Sequence, residues 1–265
     1  MTYTPVVPMS GYGGWTFLKR TMATQKAAFA AAPQVKREAT YYREKIGKTV
    51  TAEALVADRR LLSVSLGAYG LGADINNKAF VKKVLADGTL DAGDLANRLA
   101  DKSYYAMSSS FGFGDYAQPR TKLSDFADKT LAAWTDRQFE EAVGEQDGNL
   151  RLALNAEREL GTLARRDASE DTLWYAVLGS APLRQVFQGA LGLPSSFSSI
   201  DLDQQVSVLK EKTARDYGDK GIAVFSDPAK VETLIRRFLV RSEAQAAAVG
   251  SSSGALALQL LNTRR

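Results

Sequence analysis

The chain has 265 residues, of which 45% are apolar and 24% charged, and its formal net charge is +4. This length and apolar fraction predict a folded protein with a sizeable core and exclude a largely disordered chain. The sequence contains no cysteine and no histidine, which excludes disulfides, thiol nucleophiles, zinc–thiolate sites, cysteine-ligated iron–sulfur clusters and Ser–His–Asp triads.

Residues 1–49 are predicted to be a basic, partly helical N-terminal segment. The first 50 residues carry eight Lys or Arg and two Asp or Glu, whereas the other 215 carry 26 and 28. Such a segment can bind nucleic acid or an acidic partner, but its cations are dispersed, which favours a solvated helix face. Helical spacing covers 14–46, and we expect Pro33 to split it because the residue before a proline resists the helical conformation. Residues 3–9 are predicted to be extended.

Four further segments follow in chain order. Residues 50–120 are predicted to be a first helical lobe, with a helix that ends at Asp87-Gly88 and helical structure over 91–110. Residues 121–166 should form a long central helix, or a helix pair that meets near residue 147, because glycines interrupt the pattern there. Residues 167–250 are predicted to be a second helical lobe, with a short extended run at 221–225 and a strong helix over 227–249 that Asp227 caps. Residues 251–265 are predicted to be a flexible tail with a short apolar helix.

One pattern occurs twice, 122 residues apart: Leu-x-x-Val-x-x-Gly-Ala-x-Gly-Leu, at 61–71 and again at 183–193. We interpret each copy as a helix closed by a left-handed glycine, Gly70 or Gly192, followed by an apolar residue that packs back on the last turn. The earlier glycines, Gly67 and Gly189, are expected to permit close approach of another helix. A phosphate-binding loop is disfavoured because no strand precedes either pattern and no dinucleotide or P-loop spacing is present. The duplication predicts an all-α, multihelical fold with two similar helical lobes joined by long central helices.

The ionisable residues do not predict a catalytic centre. Carboxylates gather in the central segment, at Glu140, Glu141, Glu145, Asp147, Glu157 and Glu159. Di-metal carboxylate bundles add histidine to such glutamates, so we interpret these residues as solvated helix faces. Four arginine pairs occur, at 59–60, 165–166, 236–237 and 264–265. Adjacent residues do not share a helix face, so an anion site would need tertiary assembly. Tyr41, Tyr42, Tyr104 and Tyr105 are interpreted as anchors at helix contacts.

Several stretches carry a family resemblance, namely Asp58–Leu62, Gly67–Leu71, Asp74–Asn77, Leu95–Arg98, Phe111–Gly114, Arg137–Asp147 and Leu150–Asn155. In these residues the sequence resembles the alphaproteobacterial domain-of-unknown-function 1217 family over nearly its whole length. The resemblance implies an all-helical protein whose gene commonly lies among flagellar genes. It implies no catalytic residues, cofactor or metal.

The favoured hypothesis is therefore a non-enzymatic protein-interaction factor linked to flagellar assembly or function. Residues 251–265 would suit docking on a protein partner through the apolar residues Leu256, Leu258, Leu260 and Leu261. The chain has no signal-peptide pattern and no window near the ~18 apolar residues of a membrane span. We expect it to be cytoplasmic, or exported without a cleavable signal through the flagellar apparatus. The alternatives are a nucleic-acid-binding regulator that uses the basic N-terminal segment, and an enzyme with carboxylate, Lys, Tyr or Ser chemistry.

Overall fold

The computed structural model describes residues 3–250, and every regular element in that range is a helix. The all-α prediction is thus confirmed. No helix among these residues combines the length and apolarity that crossing a bilayer requires. The described chain forms two compact units, one of residues 3–6 and 21–142 and the other of residues 7–20 and 143–250.

Unit 1 contains eight helices or parts of helices from the first half of the chain. In order they are the later part of α1 (Gly11–Ala31), α2 (Pro33–Ile46), α3 (Ala52–Ala57), α4 (Arg59–Tyr69), α5 (Lys78–Asp87), α6 (Leu95–Arg98), α7 (Ser103–Phe111) and most of α8 (Phe126–Gly144). Pro33 does divide the first helical stretch, because Ala32 before it is held at φ −58° and ψ 139°. Phe111 lies at the centre of the core and packs edge-to-face on Phe126 at 5.0 Å between ring centroids.

Unit 2 is built from the start of α1 and five later helices. These are α9 (Gly148–Leu163), α10 (Glu170–Gly179), α11 (Ala181–Ala190), α12 (Leu202–Tyr217) and α13 (Pro228–Gly250). Trp174, Phe187 and Phe225 pack edge-to-face in the core, with centroid separations of 5.4 and 5.3 Å. Trp15 is also buried here, and its indole N–H donates to the carboxylate of Glu232 at 3.0 Å.

The central segment 121–166 holds two helices, which agrees with the second of the predicted alternatives. Asp147 separates α8 from α9 and caps α9, because its carboxylate accepts the backbone N–H groups of Asn149 and Leu150 at 2.8 and 3.2 Å. A capping carboxylate of this kind satisfies donors that the first helical turn leaves without an intrahelical partner.

Neither segment that the sequence predicts to be extended forms a strand. Residues 222–226 form a 3₁₀ turn, whose three-residue period turns both Ile222 and Phe225 into the core. Residues 3–8 have no regular structure. There the amide of Gln25 replaces a neighbouring strand, since it accepts from the N–H of Val6 at 2.6 Å and donates to its carbonyl at 3.1 Å.

The helical structure predicted over 91–110 is interrupted in the structure. Residues 99–102 separate α6 from α7, and a tight turn precedes α6. In this turn the Asp91 carboxylate accepts the N–H of Gly93 at 2.8 Å, while the Asp94 carboxylate accepts the N–H of Asp91 at 2.9 Å. Aspartate side chains that bond their own backbone in this way compete with helix formation.

The two units do not follow the five segments predicted from the sequence. The predicted basic segment 1–49 is shared, with residues 7–20 in unit 2 and 21–49 in unit 1, and the predicted central segment is divided after Ala142. Burial explains why the predicted basic segment is shared between the units, because Trp15 is buried in unit 2 and Tyr42 in unit 1. The similarity of two lobes stays a prediction.

Candidate functional site

The two glycines singled out in the sequence lie at equivalent helix ends. Gly70 follows α4 with φ 77°, and Gly192 lies two residues beyond the end of α11 with φ 63°. At each end the N–H of the next leucine reaches a carbonyl five residues back, from Leu71 to Leu66 and from Leu193 to Gln188, both at 2.9 Å. This bond and the left-handed glycine define a Schellman motif.

The earlier glycine of each copy faces an aromatic ring from another helix of the same unit. A Cβ placed on Gly67 would lie 2.7 Å from Cδ1 of Trp134 on α8, and one on Gly189 would lie 2.7 Å from Cδ2 of Phe238 on α13. Both glycines therefore leave room for a ring against a helix backbone.

An arginine follows each of these rings by three residues and lies over the closing glycine. Arg137 donates from Nε to the carbonyl of Ala68 at 3.0 Å, and its Nη1 would lie 2.8 Å from a Cβ on Gly70. A Cβ on Gly192 would overlap Nη1 of Arg241. The shared aromatic-x-x-Arg pattern, Trp134-x-x-Arg137 and Phe238-x-x-Arg241, is visible in the sequence, but only the fold shows that each pair packs on a glycine-closed helix.

Arg241 belongs to an open groove of about 340 Å³ in unit 2. Within residues 3–250 its lining comes from one face of α13, namely Thr233, Arg236, Arg237, Val240 and Arg241. At 100° per residue these positions span about 140° of the helix surface, with Thr233 and Val240 between Arg236 on one side and Arg237 and Arg241 on the other. The Val240 residue is 47% exposed. The groove therefore has an apolar and hydroxyl-bearing centre flanked by guanidinium groups.

Each guanidinium group of the groove contacts a residue from another part of the chain. Arg236 lies over the ring of Tyr12 at 5.6 Å, and Arg237 lies over the ring of Tyr217 at 5.4 Å. Arg237 also forms an ion pair with Asp216 at 2.7 Å, while Arg241 rests on the Gly192 turn. Stacking on tyrosine is favourable for the guanidinium groups of Arg236 and Arg237, and Nη1 of Arg237 is itself buried.

The charges of the groove do not cancel. Hydrogen bonding and charge from Arg215 and Arg237 outweigh the opposing effect of burial and hold the pKa of the Asp216 carboxyl below its usual value. This carboxyl is therefore ionised at neutral pH. This single negative charge is shared by Arg237 at 2.7 Å and Arg215 at 2.8 Å, whereas Arg236 and Arg241 form no ion pair within residues 3–250. Burial raises the pKa of Tyr217 to about 12, so its hydroxyl stays protonated. The groove thus presents two uncompensated positive charges.

The predicted carboxylate group does not form one site. Glu140 is buried, Glu141 accepts the amide of Gln138 at 2.7 Å on the surface, and Glu157 pairs with Lys19. Glu159 pairs with Arg158 at 3.1 Å. Nowhere in the described range do three acidic side chains gather as a metal site would require.

The other candidates are dispersed. Arg60 pairs with Glu38 at 3.0 Å and stacks on Tyr41 at 3.8 Å, far along the chain from the groove arginines. Of the four tyrosines, Tyr42 is buried and Tyr104 donates to Asp74, whereas Tyr105 is exposed. Three of the eight N-terminal cations form ion pairs: Lys19 with Glu157, Lys26 with Asp136, and Arg43 with Asp128. The interaction residues predicted at Leu256, Leu258, Leu260 and Leu261 lie outside the described residues.

Three comparisons with known proteins bear on the chain. A family model described as "Protein of unknown function (DUF1217)" matches residues 68–231. The chain is also similar to the crystal structure of protein AGR_C_984 from Agrobacterium tumefaciens, a structural genomics target. The identity is 26%, the TM-score is 0.75, and the match covers 91% of this chain and 99% of the other. No curated protein matches the sequence.

Proposed function

The chain belongs to the DUF1217 family, and we propose that it is a non-enzymatic protein that binds a protein partner through the α13 groove of unit 2. The observation that carries this proposal is the pairing of two uncompensated arginines with an exposed valine on one helix face. Arginine is enriched in protein interfaces, where it combines charge with an extensive contact surface.

The composition of the groove supports binding rather than turnover. Among the described residues its lining has guanidinium groups, one hydroxyl and one aliphatic side chain, and guanidinium groups stay protonated at physiological pH. General acid–base catalysis needs a group whose pKa lies near the working pH. Anchoring on a 23-residue helix gives the groove a rigid frame, which is favourable for recognition.

We further propose that the partner belongs to flagellar assembly or function. This part rests on the gene neighbourhood that the sequence resemblance implies. It directs the test toward motile cells and predicts a protein found in the cytoplasm or exported through the flagellar apparatus.

Complementation of a deletion strain tests the proposal. We expect deletion to impair swimming, wild-type protein to restore it, and the double variant Arg236→Gln/Arg241→Gln to fail although it accumulates normally. Arg165→Gln/Arg166→Gln is the matched control, because it removes the same charge from exposed positions of unit 2 outside the groove. Fractionation of basal bodies and culture medium follows the protein's location.

Full swimming with the groove variant, or unchanged swimming after deletion, would contradict the proposed function. Cross-linking in motile cells through a photoreactive side chain at Val240 provides a direct readout. A specific protein adduct at this position that disappears in the Arg236→Gln/Arg241→Gln background is expected. Adducts that are identical in both backgrounds would count against the groove.

A further inference from the structure

We propose that the groove binds an acidic amphipathic segment of its partner, in which carboxylates flank an apolar side chain. This inference rests on the proposed function and adds the chemistry of the ligand. The guanidinium groups of the groove are its first evidence. Arg236 and Arg241 lack a carboxylate partner in the described part of the chain, and an arginine fork pairs with a carboxylate through two parallel hydrogen bonds.

The spacing of the two arginines limits the ligand. They are five residues apart on α13, which corresponds to a rise of roughly 7.5 Å along the helix axis. The two arginines are also about 140° apart around the helix axis, on either side of Val240. A ligand that contacts both must therefore cross this face of α13, with one carboxylate on each side of the residue that packs on Val240.

Val240 defines the middle of the ligand. It lies between Arg236 and Arg241 around the helix and is 47% exposed. An apolar ligand side chain placed there would remove the methyl groups of Val240 from water, which favours binding. Thr233, one helical turn from Arg237, donates its hydroxyl to the carbonyl of Ala229 at 2.8 Å, so it can only accept a hydrogen bond from a ligand.

The same features favour a protein over a nucleic acid. Nucleic acids are bound through many phosphate contacts, typically with exposed aromatic rings on which bases stack. Here two arginines are uncompensated and Asp216 offsets the third. The rings nearest the groove, Tyr12 and Tyr217, lie beneath arginines and do not line its surface. An apolar centre also has no counterpart on a phosphate backbone.

Fluorescence anisotropy on the full chain tests the inference with three labelled probes of similar length. The first is a peptide of about four helical turns, with Glu residues on both sides of a Leu stripe along one face. The second has the same composition but scrambled, so that Glu and Leu do not share a face. The third is a single-stranded oligonucleotide. We expect the first probe to bind most tightly, and its affinity to fall as salt rises because exposed charges are screened.

Variants of the chain measure how much each groove side chain contributes to peptide binding. Arg236→Gln/Arg241→Gln should weaken the first probe by about tenfold or more, the effect of roughly one lost charge-assisted contact, and Val240→Ser should weaken it by a few-fold. Arg165→Gln/Arg166→Gln should leave it unchanged. Asp216→Asn should instead strengthen binding, because it removes the negative charge that Arg237 shares with Arg215. This gain of binding keeps the test decisive where a loss could reflect misfolding.

Several outcomes would overturn the inference: equal binding of the ordered and scrambled peptides, preference for the oligonucleotide, or loss of binding in the control pair equal to that in the groove pair. Failure here is distinguishable from failure of the proposed function. If the peptides do not bind but the groove variant still abolishes swimming, the acidic ligand is wrong and the groove function stands. If the peptide binds but the groove variant swims normally, the acidic ligand stands and the proposed role of the groove in swimming is wrong.

Discussion

Single glycines determine which helices can meet inside each unit. Gly67 and Gly189 leave a ring in contact with a helix backbone, whereas Gly70 and Gly192 close the same helices in a conformation that disfavours side chains. Spacing alone predicted all four positions, because a capping glycine and its following leucine are local signals. It did not predict Trp134 or Phe238, which are separated from their glycines by 67 and 49 residues and are brought to them only by tertiary packing.

Gly189→Ala is expected to destabilise the protein. The new Cβ would lie 2.7 Å from the ring of buried Phe238, and such overpacking typically costs about 1–3 kcal/mol, which exceeds the gain of up to about 1 kcal/mol from replacing glycine in a helix. Denaturant unfolding followed by circular dichroism measures the change. Gly148→Ala is the matched control, since nothing lies within 4 Å of its Cβ, and it should be neutral or slightly stabilising. Equal effects of the two substitutions would contradict the close packing at Gly189.

Aspartates define the starts of several helices. The carboxylates of Asp58, Asp147 and Asp201 accept two backbone N–H groups each at the first turns of α4, α9 and α12. A helix start of this kind was predictable where an aspartate preceded an apolar stripe, as at Asp227, whose carboxylate accepts the N–H of Ala229 at 2.9 Å. The sequence failed at residues 221–225, because the run Ile-Ala-Val-Phe has strand propensity but finds no neighbouring strand.

The stabilisation that the Asp58 cap gives to the fold depends on pH. Burial raises the pKa of Asp58, but the Tyr41 hydroxyl, the N–H groups of Leu61 and Arg60 and the Arg60 charge outweigh burial and hold that pKa below its usual value. The stabilisation from this group is therefore present above its unfolded pKa of about 4 and is lost as pH falls through the lower folded pKa.

Tyr41→Phe removes the hydrogen bond from the hydroxyl to Asp58, which is 2.5 Å long, and keeps an aromatic ring beneath Arg60. We expect the pKa of Asp58 to rise toward its usual value, which carbon-detected NMR titration of the side-chain carboxyl would measure. The α4 cap itself should persist, because the bonds to Arg60 and Leu61 are untouched. An unchanged titration in the variant would show that the tyrosine does not stabilise the carboxylate.

The whole molecule explains why the sequence could predict the fold class but not the groove. Helix class follows from periodicity and caps, which are read over a few residues. The groove arginines lie on one helix, yet their supports come from Tyr12, Asp216, Tyr217 and Gly192, which are spread over most of the chain. Arg236 and Arg237 therefore look like an ordinary solvated pair until those supports are assembled.

The division of α1 between the units has a practical consequence for dissecting the protein. Residues 11–20 of this helix belong to unit 2, and they supply buried Trp15 and Leu18 to it. A fragment of residues 143–265 would therefore lack part of its own core, and we expect it to be poorly folded by near-ultraviolet circular dichroism and amide exchange. Addition of a synthetic peptide spanning 7–20, or its genetic fusion through a glycine-rich linker, should restore protection, whereas the same peptide with Trp15→Ala should not. Split-protein reconstitution and circular permutation, rather than simple truncation, are thus the routes to an isolated second half.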